Sequence, residues 1–269
     1  MKSVHLISML LILLFACNPG TQNKESANDA EMKNTQTKEW IQLFNGENLD
    51  GWTIKICKHP LNENFNNTFR VENGMMVTRY DEYEKFDGEF GHIFYKTPYS
   101  HYKLRVEYRV VGEQVTGGLG WALRNSGVMF HAQSPESMLV DQDFPVSIEA
   151  QFLGGNGVED RSTGNLCTPN THVVIDGDLV TQHCTNSTSK TIHGEEWVLF
   201  EQVVYGDSII HHLVDGDTVL TYSKPQIGGE LPDGFPLEEG TPLTSGYIAL
   251  QAESHPYEFR KVELLDLSK

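Results

Sequence analysis

Basic residues are scarce in this 269-residue chain: 20 Lys and Arg face 37 Asp and Glu, a net charge of −17. A chain this acidic, with no basic stripe, repels polyanions, which argues against nucleic acid as a partner and leaves a neutral ligand as the natural candidate. Helical periodicity is also scarce. No stretch of a dozen or so residues keeps the 3.6-residue apolar period behind a capping residue, so nothing supports a helical bundle or a doubly wound fold. The apolar run from Leu6 to Phe15, broken by Ser8, is too short to span a bilayer. Cysteine stops at four residues, none of them in a CxxC pair of the zinc or redox type.

The short apolar run has the shape of a secretion signal, with Lys2 before it and Leu14-Phe15-Ala16-Cys17 at its end. Those last residues resemble a bacterial lipobox, in which Cys17 is lipidated after cleavage; an ordinary signal cut near Ala16 is the alternative. Residues 1–17 are thus expected to export the chain as a membrane-anchored lipoprotein, periplasmic or on the cell surface. Residues 18–38, rich in Asn, Thr, Gln, Lys, Glu and Ser, read as a disordered tether. Residues 39–269 contain no linker-like break or internal repeat and are expected to form one domain.

With Cys17 assigned to the anchor, Cys167 and Cys184 can close a loop as a disulfide in an oxidising compartment, or stay as free thiols. A metal site drawn from Cys167, His172, His183 and Cys184 is the competing reading. Cys57 is left unpaired and is expected to be buried.

Strand signals, by contrast, are abundant. Thr68 to Glu72 precedes the Asn73-Gly74 turn, Trp197 to Tyr205 precedes Gly206-Asp207, and Ile209 to Val214 precedes Asp215-Gly216. Val219 to Tyr222 and Glu258 to Leu265 follow. Hairpins in this number mean a sandwich or barrel, so the fold class is all-β. In Tyr102 to Val111, Leu104, Val106, Tyr108 and Val110 alternate with Lys103, Arg105, Glu107 and Arg109, the pattern of a half-buried strand whose charges lie on its solvent face.

Two strands break the usual solvent-face chemistry. In Ser147-Ile-Glu-Ala-Gln-Phe152, Glu149 and Gln151 share one face; in Ile248-Ala-Leu-Gln-Ala-Glu-Ser-His255, Gln251, Glu253 and His255 do so if the strand is regular. Carboxylate, amide and imidazole in that arrangement look like the floor of a sugar-binding cleft.

The opening segment Ile41-Gln-Leu-Phe-Asn-Gly-Glu-Asn-Leu-Asp-Gly-Trp52 closely resembles that of the 3-keto-disaccharide hydrolase domain, long called domain of unknown function 1080. Arg124-Asn-Ser-Gly-Val-Met129, the Glu149-x-Gln151 strand, Gly194-Glu-Glu-Trp197, His212-Leu-Val-Asp-Gly216, Gly246-Tyr-Ile-Ala-Leu-Gln251 and Phe259-Arg-Lys-Val-Glu263 follow in the same order. The resemblance implies a concanavalin-like jelly roll of two curved antiparallel sheets that acts on glycosides whose sugar is oxidised at C3. The insert between Gly154 and Lys190, with its two cysteines, departs from the shortest members of that family. Gly46 and Gly51 suit tight turns, and Trp52 is expected to pack where the first strand joins the sandwich.

A ketone at C3 acidifies the proton on C2. One base can then remove it, the C1 substituent leaves by β-elimination, and water adds back; this needs a base near neutral pKa, a donor to the enolate oxygen and an acid for the leaving oxygen. The Glu-x-Asp-x-x-Glu strand of jelly-roll glucanases is missing, which counts against ordinary retaining hydrolysis. Glu149 is the expected base, with a structural ion pair to Arg as its alternative role, and His255 or Glu253 the expected acid. Gln151 and Gln251 are expected to hold sugar hydroxyls. Arg124 and Asn125 belong to a segment that the resemblance places in the site, and a regular strand lets only one of them face the cleft. His131 and His212 are weaker candidates for substrate contact, a buried hydrogen-bonded His being the commoner case. No cofactor is expected, although a divalent ion on Glu149, Glu253 and His255 would also suit the chemistry. The partner is a carbohydrate; oligomeric state is not legible.

Overall fold

The computed structural model describes residues 39–268. The signal, Cys17 and the tether lie outside the described residues. In chain order the strands are β1 (Ile41–Gln42), β2 (Trp52–Ile56), β3 (Phe69–Glu72), β4 (Met75–Thr78), β5 (Gly91–Tyr95), β6 (His101–Val110), β7 (Asn125–Ala132), β8 (Ile148–Leu153) and β9 (Asn165–Cys167). They continue as β10 (Thr171–Ile175), β11 (Asp178–Val180), β12 (Cys184–Thr185), β13 (Val198–Tyr205), β14 (Ile209–Val214), β15 (Asp217–Ile227), β16 (Tyr247–Ala252) and β17 (Tyr257–Asp266). Three short 3₁₀ turns are the only helical pieces among the described residues.

The strands form two antiparallel sheets. Ten strands run β11-β10-β15-β14-β13-β6-β17-β4-β3, with β1 also on β17, and seven run β12-β9-β8-β7-β16-β5-β2. This is the concanavalin-like jelly roll. Period-two alternation explains the layering: Leu104, Val106, Tyr108 and Val110 of one sheet meet Val128, Phe130, Ile148, Ala150, Phe152, Ile248 and Leu250 of the other in one core. Tyr108 stacks on Phe152 with ring centroids 4.0 Å apart, which fixes the sheets face to face at this point. Asn73 and Gly74, and again Asp215 and Gly216, take left-handed backbone angles in two-residue hairpin turns. Trp52 is half-buried at the joint, its Nε1 donating to the Leu43 carbonyl at 3.0 Å.

The insert between Gly154 and Lys190 adds strands to the same edge of both sheets: β10 and β11 extend the ten-stranded sheet, β9 and β12 the seven-stranded one. A disulfide joins Cys167 to Cys184, which stand directly opposite each other on β9 and β12. Cys57 is a buried free thiol.

Candidate active site

The two polar strands belong to the same seven-stranded sheet but are not neighbours. β7 runs between β8 and β16. On the face turned away from the core, Gln151 of β8 stands opposite Gly127 of β7 and, on its other side, opposite Asn165 of β9. Across β7 the register pairs Leu250 with Val128, which brings Gln251 beside Gly127, and Gln251 pairs with His92 of β5. The missing side chain at Gly127 opens the floor at its centre. A Cβ there would lie 3.0 Å from Glu149 Oε1, 3.2 Å from Gln251 Oε1 and 2.9 Å from the Ala150 carbonyl.

Around this gap lies a cleft of about 390 Å³ lined by Asn125, Glu149, Gln151 and Glu253 on the floor and by Trp121, Phe144, Pro169, His183 and the Cys167–Cys184 disulfide on the walls. Its floor groups are buried yet poorly partnered. Glu149 Oε1, Glu253 Oε2 and Asn125 Oδ1 make no hydrogen bond within the protein, and neither does either amide atom of Gln251, which is fully buried beside Gly127 and does not itself line the cleft. Burial pushes the Glu149 carboxyl up to about 8. Burial and then the charge of Glu149 push Glu253 well above the ordinary carboxylate range. Glu149 therefore ionises before Glu253, and above about pH 8 the site holds one carboxylate and one carboxylic acid. Gln151 is steadied by Asn165, whose Nδ2 donates to its Oε1 at 3.0 Å.

The structure separates the remaining candidates from this cleft. β16 ends at Ala252, and Ser254 takes φ of 90°, so the alternation that would align His255 with Gln251 and Glu253 fails after Glu253. His255 is not among the residues lining the cleft; burial first, then the charges of Arg124 and Arg161, lower its pKa to about 4. Arg124 sits before β7 with φ of 53°, and its Nη2 donates to the Gly194 carbonyl at 2.7 Å. Asn125 therefore faces the cleft and Arg124 does not.

His131 and His212 do not line the cleft, and their ring nitrogens meet groups elsewhere in the fold. His131 Nε2 lies 3.1 Å from the Gly206 carbonyl. His212 is buried in the core, with Nδ1 2.9 Å from the Gly164 carbonyl and Nε2 2.8 Å from the Tyr222 hydroxyl, and burial lowers its pKa to about 4. Glu149, Glu253 and His255 do not gather as metal ligands: the three donor groups that do converge among the described residues are Cys167, His183 and Cys184. Two of those three sulfur and nitrogen donors are committed to the disulfide.

Sequence reasoning missed Trp121, Phe144, Pro169 and the cleft-side role of the disulfide. Trp121 ends a Gly117-Gly118-Leu119-Gly120 stretch, where an aromatic on a glycine-rich turn was the available signal. Phe144 and Pro169 carry no local signal, because the loops holding them reach the cleft only through the tertiary fold.

The sequence matches the 3-keto-alpha-glucoside-1,2-lyase-like domain over residues 39–265. No curated protein matches it. Among solved structures, a putative glycosyl hydrolase from Parabacteroides distasonis superposes with a TM-score of 0.53 at 19% identity, over 86% of this chain and 95% of that one. A second from the same organism gives 0.50 at 18% identity over 85% and 100%. A Bacillus subtilis protein of unknown function with a galectin-like fold gives 0.51 at 10% identity over 85% and 94%. At these identities the structural likenesses concern the fold alone.

Proposed function

The chain belongs to the 3-keto-alpha-glucoside-1,2-lyase-like family, a carbohydrate-active jelly-roll family, and from that premise we propose that it cleaves the glycosidic bond of 3-keto-glycosides by elimination and hydration. The observation that carries this reading is the pair of buried carboxyl groups, Glu149 and Glu253, on the floor of one cleft with their ionisation disfavoured.

Glu149 as the carboxylate takes the proton from C2, whose electron pair moves into the C2–C3 bond as the ketone becomes an enolate. The enolate then collapses, C1=C2 forms, and the C1–O bond breaks with its electrons going to the leaving oxygen. Glu253, held protonated by burial and by the negative charge beside it, gives its proton to that oxygen. Water adds to C1 of the resulting enone and C2 is reprotonated, which releases the free 3-keto sugar. The Asn125 and Gln151 amides of the cleft lining supply N–H donors for the enolate oxygen and the ring hydroxyls.

Incubation with a 3-keto-glucoside and with its unoxidised parent tests the reading. Release from the keto sugar alone, with the C2 hydrogen exchanging in deuterated solvent, is the expected result. Release from both substrates means conventional hydrolysis, and binding without release means a carbohydrate-binding protein; either result rejects the proposal. As an exported lipoprotein, it would act on sugars outside the cytoplasm.

A further inference from the structure

Trp121 is 51% exposed, the only tryptophan in the cleft lining, and nothing in the elimination chemistry uses it. Leaving so large an apolar side chain in solvent costs the fold the burial energy it would otherwise gain. Its position is nevertheless firmly built. The indole stacks on Phe90 with centroids 5.6 Å apart at 21°, and Phe90, itself buried, lies 5.0 Å from Phe144 and 5.3 Å from Phe86. The loop beneath is tied down as well. Gln114 Nε2 donates to the Leu119 carbonyl and to Ser254 Oγ, each at 2.9 Å, Val115 N donates to the Ser254 carbonyl at 3.0 Å, and Ala122 next to the tryptophan is fully buried. An exposed aromatic on a fixed mount is a preorganised platform, because little side-chain entropy is lost when a ring stacks on it.

The rest of the cleft says what kind of ring. Most polar side chains of the lining are on the floor, where Asn125, Glu149, Gln151 and Glu253 suit the hydroxyls and ketone of the sugar that reacts. The walls above them are Trp121, Phe144, Pro169 and the disulfide, with His183 the one polar side chain. A second sugar against these walls would meet one polar side chain, His183, before reaching Gln142, Asp143 and Asn170 beyond Phe144 and Pro169, whereas a planar apolar ring against Trp121 needs no such partner.

We propose that Trp121 forms an aglycone subsite for a planar aromatic group, so that the preferred substrates are aryl or phenolic 3-keto-glycosides rather than 3-keto-disaccharides. The inference rests on the elimination reading for what happens at C1. It is independent of that reading for what binds beside it. A phenolic oxygen is also a better leaving group than a sugar hydroxyl, which lightens the demand on Glu253.

The test compares the intact protein with Trp121→Ala and Trp121→Phe on 4-nitrophenyl 3-keto-glucoside and on a 3-keto-disaccharide. In Trp121→Ala, kcat/KM on the aryl substrate is expected to fall about tenfold or more and on the disaccharide less than about threefold, with Phe restoring most of the loss. Equal losses on the two substrates overturn the subsite. The unoxidised 4-nitrophenyl glucoside, titrated calorimetrically against the same proteins, reads the subsite without turnover. A Kd raised about tenfold by Trp121→Ala supports it and an unchanged Kd overturns it. If the wild type cleaves neither keto sugar yet shows that change in Kd, the catalytic reading fails and the aromatic subsite stands.

Discussion

The outward faces of the two sheets carry glutamates in opposite states. On the ten-stranded sheet the central arginines are paired with glutamates: Arg105 Nε donates to Glu201 at 2.7 Å, Arg109 meets Glu258 at 2.6 Å, and Arg260 Nε donates to Glu107 at 2.6 Å. Arg105 also covers Trp40 at 4.0 Å, while Arg109 and Arg260 flank Trp197 at 4.7 and 4.4 Å. On the seven-stranded sheet Glu149, Glu253, Gln251 and Asn125 are more deeply buried and keep atoms without protein partners. A folded chain tolerates buried unpaired polar groups only at a cost, so the second face is shaped for something outside the chain, the first for the fold itself.

Removing the base is the strongest way to break this contrast. Glu149→Gln should lower turnover of a 3-keto-glucoside about 10³-fold. The same variant should be more stable than the wild type at pH 9, by about 1–3 kcal/mol in urea unfolding, because a buried charge is replaced by a neutral amide. The sign follows from linkage: a carboxyl whose folded pKa is raised to about 8 costs stability progressively as pH climbs above its unfolded value. A variant that is both active and less stable at alkaline pH would contradict the burial argument and the catalytic one together.

Glu253→Gln should cost about 10²-fold with a sugar leaving group. Wild-type kcat/KM should rise with pH through about 8 as Glu149 ionises, then fall as Glu253 loses its proton; the variant should lose the falling limb. A next, smaller effect tests the wall. Replacing both Cys167 and Cys184 by Ser should lower unfolding free energy by about 2–4 kcal/mol, seen as a lower Tm than the oxidised wild type. Gly127→Ala should cut kcat about tenfold, since the added methyl crowds the Glu149 and Gln251 side chains, and destabilise by about 1–3 kcal/mol through its contact with the Ala150 carbonyl. Arg105→Ala, on the satisfied face, should change stability by less than about 1 kcal/mol and leave turnover untouched. A large loss of activity there would erase the distinction between the two faces.

Local alternation was enough to reveal the strand class, the hairpins at Asn73-Gly74 and Asp215-Gly216, and the shared face of Glu149 and Gln151. It failed at His255, where the left-handed Ser254 ends the period that the letters suggest, and at Arg124, turned out of β7 by its own positive φ. His131 and His212 resemble ligands in the letters alone. Their acceptors, the carbonyls of Gly206 and Gly164, lie 75 and 48 residues away, beyond any local pattern.

The sequence by itself determined the period of each strand, the turns between them and which residue types share a face, because these depend on steric and apolar preferences within a few residues. Only the tertiary structure decided that β7 lies between the two polar strands, that Gly127 opens the floor there, and that Trp121, Phe144 and the disulfide wall it in. Strand partnership and burial arise from pairings between distant segments, and the raised carboxyl pKa values exist only once those pairings have excluded water.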